Sequence, residues 1–244
     1  MSFQDLTPNQ YLEGIFGLIW VLFAIFIGIR IILKAKSLGR TELIAVGLSY
    51  ICVSTAWWGV AIQFLVYGLF SIELTEMLYL FISNAFIPVG LLFWVYSFSE
   101  MVDPYLKKRL LVIYIPIALL WEILLMIFLF ININLVGSVE GLFNSTHGPI
   151  LRVFIIIAIL TFVITGIFFS IRSMRIEDKE IKWKGRFLFL AWISFGVGAF
   201  LDAILTLQPL TLILIRILLI TGAIEYYLGF FLPKKIKDVL IKES

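Results

Sequence analysis

Seven apolar stretches, at residues 12–33, 43–63, 77–98, 110–131, 150–171, 187–207 and 210–232, divide this 244-residue chain almost end to end. Each has about the 20 residues that a helix needs to cross ~30 Å of hydrocarbon. In that medium backbone N–H and C=O groups can be satisfied only within the segment, so stretches of this length must be helical. The chain is therefore expected to be an all-α integral membrane protein, a bundle of seven transmembrane helices. Composition agrees: 62% of residues are hydrophobic, 14% are charged and mean hydropathy is +1.08, far beyond what a soluble core requires. Residues 1–233 are expected to form one membrane domain, followed by a short basic tail at 234–244. No polar gap is long enough for a soluble catalytic domain. The first dozen residues carry no basic segment, so the first apolar stretch is expected to be a retained span, not a cleaved signal.

Seven spans place the two termini on opposite sides, and basic residues select the side. Arg30, Lys34, Lys36 and Arg40 flank the first loop, Lys107, Lys108 and Arg109 the third, and Arg172, Arg175, Lys179, Lys182, Lys184 and Arg186 the fifth. Lys234, Lys235, Lys237 and Lys242 lie in the tail, and only Arg152 and Arg216 fall elsewhere. The positive-inside rule then predicts an outward N-terminus and a cytoplasmic C-terminus in the cell membrane. The sequon Asn144-Ser145-Thr146 in the fourth loop is consistent with an outer position. Because the basic residues are divided among four segments beside helix ends, they match anionic headgroups of the lipid bilayer and no nucleic acid.

The last two spans are separated by Gln208 and Pro209 alone, which predicts a tight antiparallel hairpin. The fourth loop is the longest and holds Gly137, Gly141 and Gly148. Pro88 and Pro116 lie inside spans, where each removes a backbone donor and is expected to bend its helix, and Pro233 ends the seventh. No internal repeat suggests a transporter built from two related halves.

Charge within a bilayer costs about 2.5 to 3.5 kcal/mol on insertion scales, so ionisable residues inside spans are the first functional candidates. Four are singled out: Glu122, Asp202, Arg216 and Glu225. Folding the sixth span back on the seventh puts Asp202 and Arg216 at one depth, roughly 10 Å from the turn. They should meet if they face each other, either as a structural ion pair or as part of an outward pocket for a polar ligand. Glu225 lies nine residues beyond Arg216 on another face and needs its own donor, from Tyr226, Tyr227 or a neighbouring helix, unless it is protonated. Glu122, beside Trp121, has no basic residue at helical spacing and is expected to be neutral and hydrogen-bonded, with a proton relay as the alternative. Ser54, Thr55, Trp57, Trp58, Gln63, Ser83 and Asn84 form a candidate pocket floor or an interhelical glue. Tyr67, Tyr79, Trp94, Tyr96 and Trp183 are expected as interfacial anchors.

Several chemistries find no support. Cys52 is the one cysteine and His147 the one histidine, which leaves no His-based metal site, cysteine cluster or catalytic triad. Neither a P-loop nor Gly-x-Ser-x-Gly occurs. Retinal would need a lysine within the bundle for its Schiff base, and the spans lack one. No cofactor, metal or catalytic residue is therefore expected, and the chain does not read as an enzyme.

A first helix ending in Arg30 and Lys34, a second with Ala56-Trp57-Trp58-Gly59 in mid-span, and a third reading Asn84-Ala85-Phe86-Ile87-Pro88 and then 93–98 together carry a likeness. The chain resembles the N-terminal seven-helix sensor region of certain bacterial and archaeal histidine kinases. The resemblance implies a bundle that senses something in or outside the membrane and passes its state to a cytoplasmic domain. Eleven residues follow Pro233, with no kinase among them, so output is expected to pass to a separate cytoplasmic signalling protein. A stand-alone heptahelical sensor or receptor-like protein is the leading expectation. A small proton-coupled transporter using Glu122 and Glu225, or a non-catalytic subunit of a membrane complex, is the alternative.

Overall fold

A computed structural model describes residues 3–204 and 209–242. Helix α1 (Pro8–Leu38) starts at a capping box, in which Gln10 N donates to Thr7 Oγ1 at 3.3 Å and Thr7 N donates to Gln10 Oε1 at 3.0 Å. The second span is α2 (Thr41–Ser54) and α3 (Trp58–Phe70), and the third is α4 (Glu76–Asn84) and α5 (Ile87–Val102). Then come α6 (Leu106–Ile131), strands β1 (Gly137–Glu140) and β2 (Asn144–His147), α7 (Pro149–Met174), α8 (Lys179–Ile204) and α9 (Pro209–Phe231). A short amphipathic helix, α10 (Lys234–Lys242), follows. Among the described residues, seven helical units are long and apolar enough to cross a membrane. The predicted turn at Gln208 lies outside the described residues.

Two interruptions shape the interior. Between α2 and α3 the chain makes a 3-10 turn over Thr55–Trp57, while Ser54 Oγ and Thr55 Oγ1 donate to the carbonyls of Ile51 and Cys52 at 2.7 and 2.6 Å. Hydroxyls that bond local carbonyls compete with the regular ladder. Trp57 consequently sits at φ −109°, ψ 0°, in the sparsely populated bridge region where many functional residues lie. Between α4 and α5 the break falls at Ala85 and Phe86, just before Pro88, which cannot donate a backbone bond. Pro88 thus ends one helix and starts another, a stronger effect than the expected bend. Pro116 lies within α6, which continues across it.

The spans make a ring. Helix α1 packs on α2, α3 and α9, α2 on α5, α5 on α7, α7 on α8, and α8 on α9. Helix α6 stands outside this ring and leans chiefly on α5, and far less of it is buried inside the bundle than of the third span. Close approach of α1 and α2 depends on small residues, as in many membrane bundles: a Cβ added at Gly47 would stand 2.6 Å from the Gly28 carbonyl oxygen. Backbone cannot yield there as a flexible side chain could. Gly47→Val is expected to separate the two helices and destabilise the bundle by about 3 kcal/mol, read as a lower unfolding midpoint in detergent.

The connection between α6 and α7 is more ordered than the expectation of a long glycine-bearing loop. It forms an antiparallel hairpin pairing Gly137 with His147 and Glu140 with Asn144, and turns at Gly141 with φ 68°. Phe143 at its tip is buried against Phe64, with ring centroids 5.7 Å apart. Tyr79 Oη donates to the Phe143 carbonyl at 3.4 Å, and Val139 N donates to Glu76 Oε1 at 3.0 Å. The hairpin therefore covers one end of the bundle. The opposite end holds Arg40 and Lys184 beside Phe230, and Arg30 and Lys34 beside Tyr227. Helix α10 meets α8 there through the ion pair of Lys237 with Glu180, after a corner at Leu232 with φ 34°.

Candidate functional site

The two charges placed at one depth by the folding-back argument do meet. Arg216 Nη1 of α9 donates to Asp202 Oδ1 of α8 at 2.8 Å. Asp202 Oδ2 accepts from Trp57 Nε1 at 2.8 Å, and the Arg216 guanidinium stands 5.7 Å from the centre of the Trp57 ring. Both carboxylate oxygens thus have a donor, supplied by different spans. The interruption after α2 is what brings Trp57 to this point. Arg216 is only 4% exposed, and its Nε has no hydrogen-bond partner among the described residues. The carboxylate of Glu13, near the start of α1, lies within electrostatic reach of Arg216.

Beside this cluster a cavity encloses about 510 Å³, its mouth included. Its walls are mostly apolar, from Val53, Ile87, Ile155, Phe162 and Phe195 among others, and its polar groups are Trp57, Asp202 and His147. A concave apolar space with a few convergent polar groups is the usual form of a small-molecule site. His147 reaches it because β2 folds down over the bundle. Its Nδ1 is buried without a partner among the described residues, and its backbone carbonyl accepts from Arg152 Nη2 at 3.0 Å. Burial pushes the imidazole pKa down to about 4, with Asp202 opposing and Arg152 adding to the shift, so the ring is neutral near pH 7. The polar part of the cavity wall consists of a neutral imidazole, a carboxylate and an indole N–H, groups able to hydrogen-bond a small molecule.

The remaining candidates do not join this site. Glu225 accepts from Ser194 Oγ on α8 at 2.9 Å, the donor on a neighbouring helix that it required. Glu122 has no hydrogen bond or ion pair among the described residues, contrary to the expected hydrogen bond, because α6 lies outside the ring. Gln63 Oε1 accepts from Leu74 N at 2.8 Å and ties down the loop between α3 and α4. Trp58 Nε1 donates to Ser54 Oγ at 3.1 Å, within its own span. Asn84 Nδ2 donates to the Leu80 carbonyl at 2.8 Å next to the break. Two expected anchors are core residues instead: Tyr79 lies under the hairpin, and Trp94 donates to Thr165 Oγ1 at 2.7 Å.

Sequence reasoning missed Glu13, His147 and Arg152. Glu13 falls one residue inside the first apolar stretch and could have been counted with the intramembrane charges. Arg152 was one of only two basic residues off the basic side. His147 carried no periodic signal, because its position depends on the hairpin. No protein-family model and no curated protein matches the chain.

Proposed function

We propose that the protein is a stand-alone heptahelical membrane sensor whose ligand enters the cavity bounded by Trp57, Asp202 and His147. The convergence of the turn between α2 and α3, of α8, α9 and the hairpin on one polar cluster, with Arg216 Nε and His147 Nδ1 unpartnered among the described residues, supports this reading. A ligand that hydrogen-bonds His147 or competes for Asp202 binds one arrangement of α8 and α9 more tightly and shifts the bundle toward it. Because α9 leads into α10, such a shift moves a basic helix that a separate cytoplasmic signalling partner can read.

In this reading the hairpin end faces out of the cell and the basic end faces the cytoplasm, in the cell membrane. In a Cys52→Ser background, a maleimide that cannot cross membranes is expected to label Asn144→Cys in intact cells and Lys235→Cys only after permeabilisation. The reverse pattern would refute the orientation.

The ligand reading is tested by native mass spectrometry of protein released gently from its own membrane. A retained small molecule that is lost in Asp202→Asn and His147→Gln is expected. Equal retention in these variants would place the ligand elsewhere. The open flank of α6, with Glu122 without a partner among the described residues, favours a second reading as a subunit of a membrane complex. A stoichiometric partner chain in the same spectra, released by Glu122→Gln, would select it.

A further inference from the structure

We infer that the basic end of the bundle carries a binding site for one anionic phospholipid, in the groove between α1 and α9. The groove offers about 400 Å³ and is lined by Arg30, Leu33, Lys34 and Ser37 of α1 and by Tyr227 and Phe231 of α9. That volume falls within the ~300 to 1,000 Å³ usual for ligand sites. The groove shares no side chain with the Asp202 cavity and lies at the other end of the bundle from the hairpin.

Charge, depth and an apolar wall set the occupant. Arg30 and Lys34 stand about one helical turn apart, and neither belongs to an ion pair among the described residues, whereas Arg40, Lys107, Lys184 and Lys237 are each paired with a glutamate. Among the described residues no acidic side chain lines the groove, so two uncompensated positive charges share one space. A guanidinium can hold a phosphate through two parallel N–H bonds, an ammonium adds a point charge, and the Tyr227 phenol supplies a neutral donor. Depth separates a lipid phosphate from a dissolved one. Arg30 lies eight residues before the end of α1 at Leu38, roughly 12 Å inside it, where a long basic side chain reaches toward the headgroups along an apolar stem. Leu33 is exposed, and Phe231 packs on Tyr227 with ring centroids 5.2 Å apart. These side chains give acyl chains a wall beside the cations, and a dissolved anion has no use for it. Basic pockets between spanning helices are a recurrent form of anionic-headgroup site. A zwitterionic headgroup would bring its own ammonium against Arg30 and Lys34, which selects an anionic lipid. Such a lipid joins α1 to α9 beside the corner at Leu232 that leads into α10.

The full chain in a neutral detergent is titrated with dioleoyl phosphatidylglycerol and, separately, with dioleoyl phosphatidylcholine, and native mass spectrometry counts the lipids bound. One phosphatidylglycerol is expected to bind about tenfold more tightly than phosphatidylcholine. Arg30→Gln and Lys34→Gln should each weaken it about fivefold, the effect of one cation at the membrane surface. Lys108→Gln, in the first turn of α6 and outside the groove, should leave it unchanged. An excess of glycerol 3-phosphate should not displace the lipid. Equal affinity for the two lipids, or an equal loss in Lys108→Gln, would overturn the inference, and displacement by glycerol 3-phosphate would assign the groove to a soluble anion instead. The comparison of the two lipids uses the unmodified protein, so the test stands if a variant fails to fold.

Discussion

Arg216→Ala is expected to cost about 3 kcal/mol of stability, measured as the unfolding midpoint of the purified protein in nanodiscs. The guanidinium is 4% exposed and donates to Asp202 at 2.8 Å. Its loss leaves a carboxylate in a low-dielectric setting, and breaking a buried pair from one side typically costs 3 to 5 kcal/mol. We take the lower end because the Asp202 side chain keeps 21% exposure and Trp57 Nε1 still donates to it. Adding Asp202→Asn to Arg216→Ala should recover part of the loss, since the neutral amide no longer needs a counter-charge. A double-mutant cycle reads the coupling directly. Additive losses would show that the two groups do not depend on each other.

Acidification should open the hairpin. In the folded protein burial holds the His147 pKa at about 4, whereas an exposed imidazole titrates near 6.5. Between these values the opened state binds a proton that the closed state refuses. The closed state is therefore at full stability above about pH 6.5. It weakens as pH falls from there to about 4, and this group adds no further slope below that. The interval corresponds to about 3 kcal/mol at ~1.4 kcal/mol per pH unit. Arg152, whose side chain holds the His147 carbonyl at 3.0 Å, disfavours the imidazolium, while Asp202 favours it. Hydrogen exchange of the β2 amides reports the opening, since local unfolding that frees His147 is sufficient. His147→Gln should remove the slope between pH 6.5 and 4. An unchanged slope in that variant would assign it to another group.

The opened hairpin bears on the proposed function as well, because His147 is both a wall of the cavity and part of its cover. A ligand that hydrogen-bonds Nδ1 would fill the unmet position and hold β2 down. Acid would act in the opposite direction. Ligand retention in the native spectra should therefore fall between pH 6.5 and 4 in step with hydrogen exchange.

The seven apolar spans and the shared depth of Asp202 and Arg216 follow from the order of residues alone. Apolar length fixes which segments can span, and a two-residue link between consecutive spans fixes which depths can pair. Local interactions and one-dimensional distances carry that information. The partner of Trp57 did not follow, because it depends on a break in the helix. Ser54, Thr55 and Pro88 were visible as residues that can weaken a helix, but where the chain would turn, and toward which neighbour, depends on packing. The role of Gln63 was equally hidden, since its acceptor is spent on the Leu74 amide across a loop.

His147 marks the boundary most clearly. The sequence determined that it stands alone as the one histidine, in a connection between two spans. Only the tertiary structure decided that this connection pairs Gly137 with His147 and folds Phe143 onto the bundle, carrying the imidazole into the cavity beside Asp202. The same holds for α6, whose apolar length made it a span and whose place outside the ring only packing could set. Burial in lipid acts on each segment separately and is written along the chain, whereas cavities and covers arise from which segments become neighbours.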